Sequence, residues 1–370
     1  MNEDKSARYH RLKRRTAIAG LAIQAAVLGL LLASGASAAL RTWAMHLTGE
    51  GAASPATVAV YVAVVVVLQA AASVPLGFYD GYVLEHRYGL SCESAGAFAR
   101  DGLKAGALNL ALALAVGQIL YAAMRAWPHW WWIAAAIAVA AFIALLAGLA
   151  PVLLLPLFYR FKPLDRSELR ERLTTLSKRA GVRVLGVYEW GLGDKTRRAN
   201  AALVGSGRTR RVLVSDTLLA EYSDDEIEVI LAHELGHHAH RDMLTVLVLE
   251  ALVIAGALGV AAVVQRTAGA AFGLIALADV AGLPLLVLSG SAFVLVATPL
   301  VNWVSRHHER RADRFALDLT QRPAAFVSAM RRLGAQNLAE TNPSTLSLWL
   351  FHSHPPVEQR IAAARAFQEN

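Results

Sequence analysis

A chain of 370 residues that is 56% hydrophobic and only 17% charged is too apolar for a soluble protein of its length and reads as a membrane protein. Its net charge of +8 marks one side of a membrane rather than nucleic acid, because no nucleic-acid-binding motif accompanies it. The single cysteine, Cys92, excludes an internal disulfide and a cysteine-based zinc cluster, and no histidine-pairing signature around it points to a catalytic thiol. A bound metal must therefore be held by histidine and carboxylate side chains.

Six stretches are long and apolar enough to cross a bilayer, which takes about 20 helical residues: residues 16–40, 54–79, 105–124, 130–155, 243–264 and 284–304. Lys5, Arg8, Arg11, Lys13, Arg14 and Arg15 precede the first stretch, whereas the loop after it carries only Arg41, which places the N-terminus in the cytoplasm. Six crossings then put residues 80–104, 156–242 and 305–370 on that same side, so both termini are expected to be cytoplasmic. The basic start and Ala36-Ser37-Ala38 resemble a signal peptide, but the apolar run is too long for one. Trp127, Trp130, Trp131 and Trp132 suit an aromatic belt at the start of the fourth span. The apolar patch 268–283 reads as a re-entrant or interfacial piece. The chain thus divides into 1–155 with four spans, a polar α+β part over 156–242, two further spans over 243–304, and a helical part over 305–370.

Within the polar part, Leu169, Leu173 and Leu176 line one face of a helix over 167–180, and Gly181 caps it. Residues 182–190 and 211–215 read as short strands. Ser223-Asp224-Asp225-Glu226 is a capping-box pattern opening a second helix, with Ile227, Ile230 and Leu231 as its apolar face.

That helix carries His233-Glu234-Leu235-Gly236-His237, an H-E-x-x-H sequence. Residues four apart share a helix face, so both imidazoles reach one zinc ion, while Glu234 is placed to take a proton from an attacking water. The small Gly236 lets substrate or another backbone come close. His238 and His240 project from other faces. A catalytic zinc needs a third ligand and an open position. Just past the sixth span, Glu309 and Asp313 lie four apart and share a face, with Glu309 as metal ligand and Asp313 as hydrogen-bond partner of a ligand imidazole or a proton carrier. His307 and His308 are the competing third ligands.

These residues resemble the type I CAAX prenyl protease family, integral-membrane relatives of the gluzincin metallopeptidases. The likeness rests on seven ordered elements: 83–90, 156–164, Asn200-Ala201 with Gly205, 212–219, the zinc helix, Ser305-Arg306 to Glu309 with Asp313, and Ser353-His354-Pro355-Pro356 with Arg360-Ile361. The resemblance implies a mainly α membrane protein, a ring of about six transmembrane helices around a chamber, closed at its cytoplasmic end by a small α+β zinc peptidase unit. It assigns the third ligand to Glu309, puts Asn200 and Ala201 on an edge strand that pairs with an extended substrate, adds Arg360 to the substrate-binding residues, and gives His354 a hydrogen bond or proton to donate to the tetrahedral intermediate. Glu250, inside the fifth span, fits a chamber-facing position. Ala202, Leu203 and Val204 stand where aromatic residues are common in the family, and residues 216–219 run to the zinc helix without the long insertion of eukaryotic members.

The expected activity is that of a zinc metalloendopeptidase with one Zn2+ per chain, acting on peptides or on membrane-associated, possibly lipid-modified proteins. Its partners are that substrate and membrane lipids, with no nucleic acid, and the compact Ala-rich chain suits a bacterial inner membrane. Two alternatives stand beside it: a quality-control protease like the HtpX family, which usually has four spans, and a transporter or scaffold with a structural zinc site.

Overall fold

The computed structural model describes residues 2–205, 207–340 and 343–369, and among them six helices are long and apolar enough to cross a bilayer. The chain starts with α1 (Asn2–Ala33) and the short α2 (Ala36–Thr48). It continues with α3 (Pro55–Phe78), which runs through a π turn at Tyr79–Val83 into α4 (Leu84–Arg87), then α5 (Ala95–Ala126) and α6 (Trp131–Leu153). After the single turn α7 (Leu155–Phe158) come the polar elements: β1 (Arg160–Pro163), α8 (Ser167–Arg179), β2 (Gly186–Gly191), β3 (Ala201–Val204), β4 (Arg211–Ser215), α9 (Asp216–Glu221) and α10 (Asp224–Ala239). Two long helices follow, α11 (Asp242–Ala268) and α12 (Leu283–Thr320), and the chain closes with α13 (Pro323–Gln336), α14 (Thr345–Phe351) and α15 (Val357–Gln368).

The membrane helices form a ring. Contacts run from α1 to α3, α5, α6, α11 and α12, and from α12 back to α1. One end of the ring is filled by a core that includes Leu28, Tyr61, Tyr121, Trp131, Val280 and Leu283. The other end is filled by the core of the polar unit, which includes Leu173, Val212, Ile227, Leu231 and Phe326. Between them the helices are unpacked. Buried residues of α12 lie at Leu283, Pro284, Leu285 and Leu286 and then again from Arg306 to Leu317, with none between. In α11 they are Asp242 at one end and Ala257, Ala261, Ala262 and Gln265 toward the other. A bundle of this length with a filled centre would bury a continuous stripe on each helix, so the ring encloses a chamber.

The first span ends earlier than the expected residue 40, because Gly35 takes the left-handed conformation at φ 74° and α2 restarts at Ala36 in a new direction. The patch 268–283 forms two 3-10 turns, Gly269–Phe272 and Val280–Gly282, that cap the far end together with α2. Asp279, almost fully buried, holds this cap: it pairs with Arg41 at 2.5 Å and accepts from the backbone N–H of Ile275 and Ala281. The boundary expected after residue 304 falls inside the unbroken α12.

In the polar unit the strand order is β1-β2-β4-β3, with β2 and β4 parallel and both outer strands antiparallel to their neighbours. The strand expected from residue 182 begins only at Gly186. Val182 instead donates its N–H back to Ser177 O at 2.9 Å, completing the capping turn of α8 around Gly181 (φ 73°). β1, ending in Pro163 at the sheet edge, is an added strand that its charged sequence Arg160-Phe161-Lys162 does not advertise.

Candidate metal centre

Ser223 and Glu226 form a reciprocal capping box that starts α10, and Ile227, Ile230, Leu231 and Leu235 bury its apolar face. This fixes the rotation of the helix and turns His233, Glu234 and His237 toward α12. Gly236 lets the two helices meet: a Cβ there would stand 3.0 Å from Ala312 Cα and 3.2 Å from Phe315 Cβ. Another backbone, not a substrate, uses the missing side chain. The close crossing delivers Glu309 and Asp313 to the two histidines.

His233 Nε2 lies 3.2 Å from His237 Nε2, and the Glu309 carboxylate oxygens lie 3.4 Å from each ring nitrogen. Each imidazole is held on its other side by a carboxylate, Asp313 at 2.9 Å from His233 Nδ1 and Asp242 at 2.9 Å from His237 Nδ1. Donation of Nδ1–H to these carboxylates leaves both Nε2 atoms as acceptors facing each other and a third acceptor, Glu309. Glu309 Oε2 is buried and has no hydrogen-bond donor. Three acceptors converge, those of His233 and Glu309 buried and that of His237 partly so, and the donor set of two imidazoles and a carboxylate fits a divalent transition metal.

Asp313 is held by Arg360, whose Nε and Nη2 fork onto its two oxygens at 2.8 and 2.5 Å, with Nη2 3.3 Å from His233 Nδ1. His354 is exposed, with Nε2 3.2 Å from Glu309 Oε1. Asn200 and Ala201 lie at the start of β3, paired on one side only, and share a cavity of about 150 Å3 with His233, Glu234, His354 and Arg360. All nine residues singled out in the sequence for this site therefore surround one place. His308 turns toward Asp242 and His307 stacks on Trp303, so neither joins the metal group; His240 packs on Phe315. Cys92 is exposed and apart from the site.

Asp242, absent from the sequence reading, is 4% exposed and also takes an ion pair from Arg311. Its only signal was its place five residues after His237, where an acid at a helix start is expected on helix grounds alone.

Electrostatics divide the labour. Burial raises the Glu234 carboxyl above its ordinary pKa, against the pull of the two histidines. Burial also opposes a charge on His233, but its hydrogen bonds to Asp313 and Glu309 outweigh this and raise its pKa to about 9, so a proton and a cation compete for Nε2 and metal binding releases the proton. The result is a carboxylate of raised basicity beside a site built for positive charge.

Comparison with known proteins extends the geometry to the whole chain. The profile of peptidase family M48 matches residues 163–368, and that of the CAAX prenyl protease N-terminal region, five membrane helices, matches residues 2–160. The chain is 29% identical over 288 residues to an uncharacterized metalloprotease, YhfN, of Bacillus subtilis, covering 77% of this chain and 68% of the relative. It is 32% identical over 229 residues to the protease HtpX of Xylella fastidiosa, covering 56% of this chain and 76% of the relative. The crystal structure of S. mikatae Ste24p superposes with a TM-score of 0.83 at 21% identity, covering 98% of this chain and 88% of that one.

Proposed function

The chain belongs to peptidase family M48, and from that premise we propose that its metal is zinc, held by His233, His237 and Glu309, and that Glu234 is the general base. It is a multi-pass membrane metalloprotease that hydrolyses peptide bonds in peptides or proteins. The observation that carries the zinc assignment is the set of 3.2, 3.4 and 3.4 Å separations between the three donor groups. The two 3.4 Å separations reach different oxygens of Glu309, and the three together bring two ring nitrogens and one carboxylate close enough to share a zinc ion, which takes nitrogen and oxygen ligands at about 2.0–2.2 Å.

Zinc bound there supplies Lewis acidity toward a carbonyl and acidifies water. Glu234, its basicity raised by burial, takes the proton of the attacking water and passes it to the leaving amine. His354 donates a hydrogen bond to the oxygen of the carbonyl as it gains charge. Asn200 and Ala201, on the edge strand, align an extended substrate by backbone pairing along the cavity. Arg360 lines the same cavity, but its guanidinium is taken up by Asp313; its role is to hold Asp313, and through it His233, rather than to grip substrate.

Lipid-modified substrates are the reading favoured by the match to the CAAX prenyl protease N-terminal region. The HtpX reading accounts for less of the chain, leaves the N-terminal match unexplained, and expects four spans where six stand. The basic cytoplasm-facing segments support a bacterial inner-membrane protein with the zinc unit and both termini inside. Functionally the chain divides at about residues 155, 242 and 304. Stripping the metal with a chelator should abolish cleavage of a farnesylated CAAX-type peptide, and equimolar zinc should restore it. Cleavage that survives complete metal removal would refute the assignment.

A further inference from the structure

On the metal-centre side of the ring, a cavity of about 770 Å3 opens where α5 begins, α6 passes into α7, and β1 and β2 close the polar unit. Its lining carries five cationic side chains and three carboxylates, a surplus of two positive charges. Asp101 engages both Lys104 and Lys195, and Glu189 pairs with Lys162 at 3.1 Å. Arg100 and Arg160 are exposed into this space with no ion-pair partner among the described residues; Asp194 is the one carboxylate of the lining without a cation. Two guanidiniums without a close ion pair at the end of a membrane span are free to take an anion, and guanidiniums match phosphate oxygens two at a time.

The surroundings identify which phosphate. Leu103, 77% exposed, lies on the same face of α5 as Arg100, and Leu157, 52% exposed, lies at the rim of the cavity. Leu153, one turn earlier, is 57% exposed. Cations and outward apolar side chains thus stand side by side at the level where the apolar spans end and the polar unit starts, which is headgroup depth. We propose that this cavity is a binding site for an anionic phospholipid, its phosphate held by Arg100 and Arg160 and its acyl chains lying on Leu103, Leu153 and Leu157. A soluble phosphate would use the cations and leave the leucines in water; a lipid uses both. The bound lipid joins α5, α7 and β1, and so ties the ring to the polar unit.

The test is native mass spectrometry of the full chain released from detergent after incubation with phosphatidylglycerol, phosphatidylcholine or inorganic phosphate. The wild type should retain one phosphatidylglycerol in preference to phosphatidylcholine, and millimolar phosphate should not displace it. Replacing both cations, Arg100→Gln with Arg160→Gln, should lower the retention about thirtyfold. The surface pair Lys178→Gln with Arg365→Gln, which removes the same charge elsewhere, should leave it unchanged. Equal retention of the two lipids by the wild type, displacement by inorganic phosphate, or full retention in the Arg100/Arg160 variant would each overturn the proposal. The first two readings need no variant, so misfolding of the double mutant does not protect it.

Discussion

Asp242 shows how much of a metal site depends on residues that touch no metal. It is the hydrogen-bond partner of His237, as Asp313 is of His233, and the two pairs fix both rings with their Nε2 atoms inward. Such partners tune affinity by about 10–100-fold. Asp242→Ala should weaken zinc binding by that factor in competition with a chelator, and Asp242→Asn, which keeps an acceptor oxygen, should lose less. Equal affinity in the wild type and Asp242→Ala would mean that His237 is held by its helix alone. The H-E-x-x-H pair was legible because its geometry is local, two residues on one turn-and-a-bit of helix. Asp242 was not, because an acid at the first position of α11 has a sufficient explanation in helix electrostatics. Glu309 lay between: its helix face was readable, but much of the preference for it over His307 and His308 came from the family resemblance.

Among the elements, α10 carries the site and depends on its first turn. Ser223 Oγ accepts from the Glu226 N–H at 3.3 Å, and the Glu226 carboxylate accepts from Ser223 N at 2.8 Å and from Ser328 Oγ at 2.6 Å. Burial opposes the charge on Glu226, but these hydrogen bonds outweigh it and keep its pKa below the ordinary glutamate value. A depressed carboxyl pKa stabilises the fold above the ordinary value, and the contribution is lost as the pH falls through the folded-state value. The detergent-solubilised wild type should therefore melt above Glu226→Gln at neutral pH, and the gap should close as the pH falls below the ordinary glutamate range. A gap that is constant with pH would assign the effect to shape rather than charge. The start of this helix was readable from its capping pattern. The edge strands were not readable from pattern: β1 and β3 are four residues each, too short for a period, so β3 was expected only through the family resemblance and β1 reads as a charged linker. The helix after β1 hid nothing, since its leucine spacing and Gly181 gave both its face and its end.

For the whole molecule, the six spans were legible from length and apolarity, but their closure into a ring came only from the family resemblance, because periodicity marks which residues are apolar and not which neighbour they meet. The chamber leaves Glu250 exposed in the unpacked half of α11, with no ion pair among the described residues. Water in the chamber accounts for an ionisable group at that depth. With Cys92 replaced by Ser, Glu250→Cys should react with a membrane-impermeant thiol reagent, whereas Leu252→Cys, 64% exposed in the wild type but on the opposite side of the helix, should not. The reverse pattern would turn Glu250 to the lipid and require it to reach the interface.

The central claim is that a partly buried carboxylate beside a two-histidine, one-glutamate zinc site moves the proton in peptide hydrolysis. Its most direct test is Glu234→Gln, purified with the wild type, with bound zinc and peptide cleavage measured on the same preparations. The account predicts one zinc per chain in both proteins and a fall in cleavage of about 100- to 10,000-fold in the variant. Full zinc with wild-type cleavage in Glu234→Gln would contradict it.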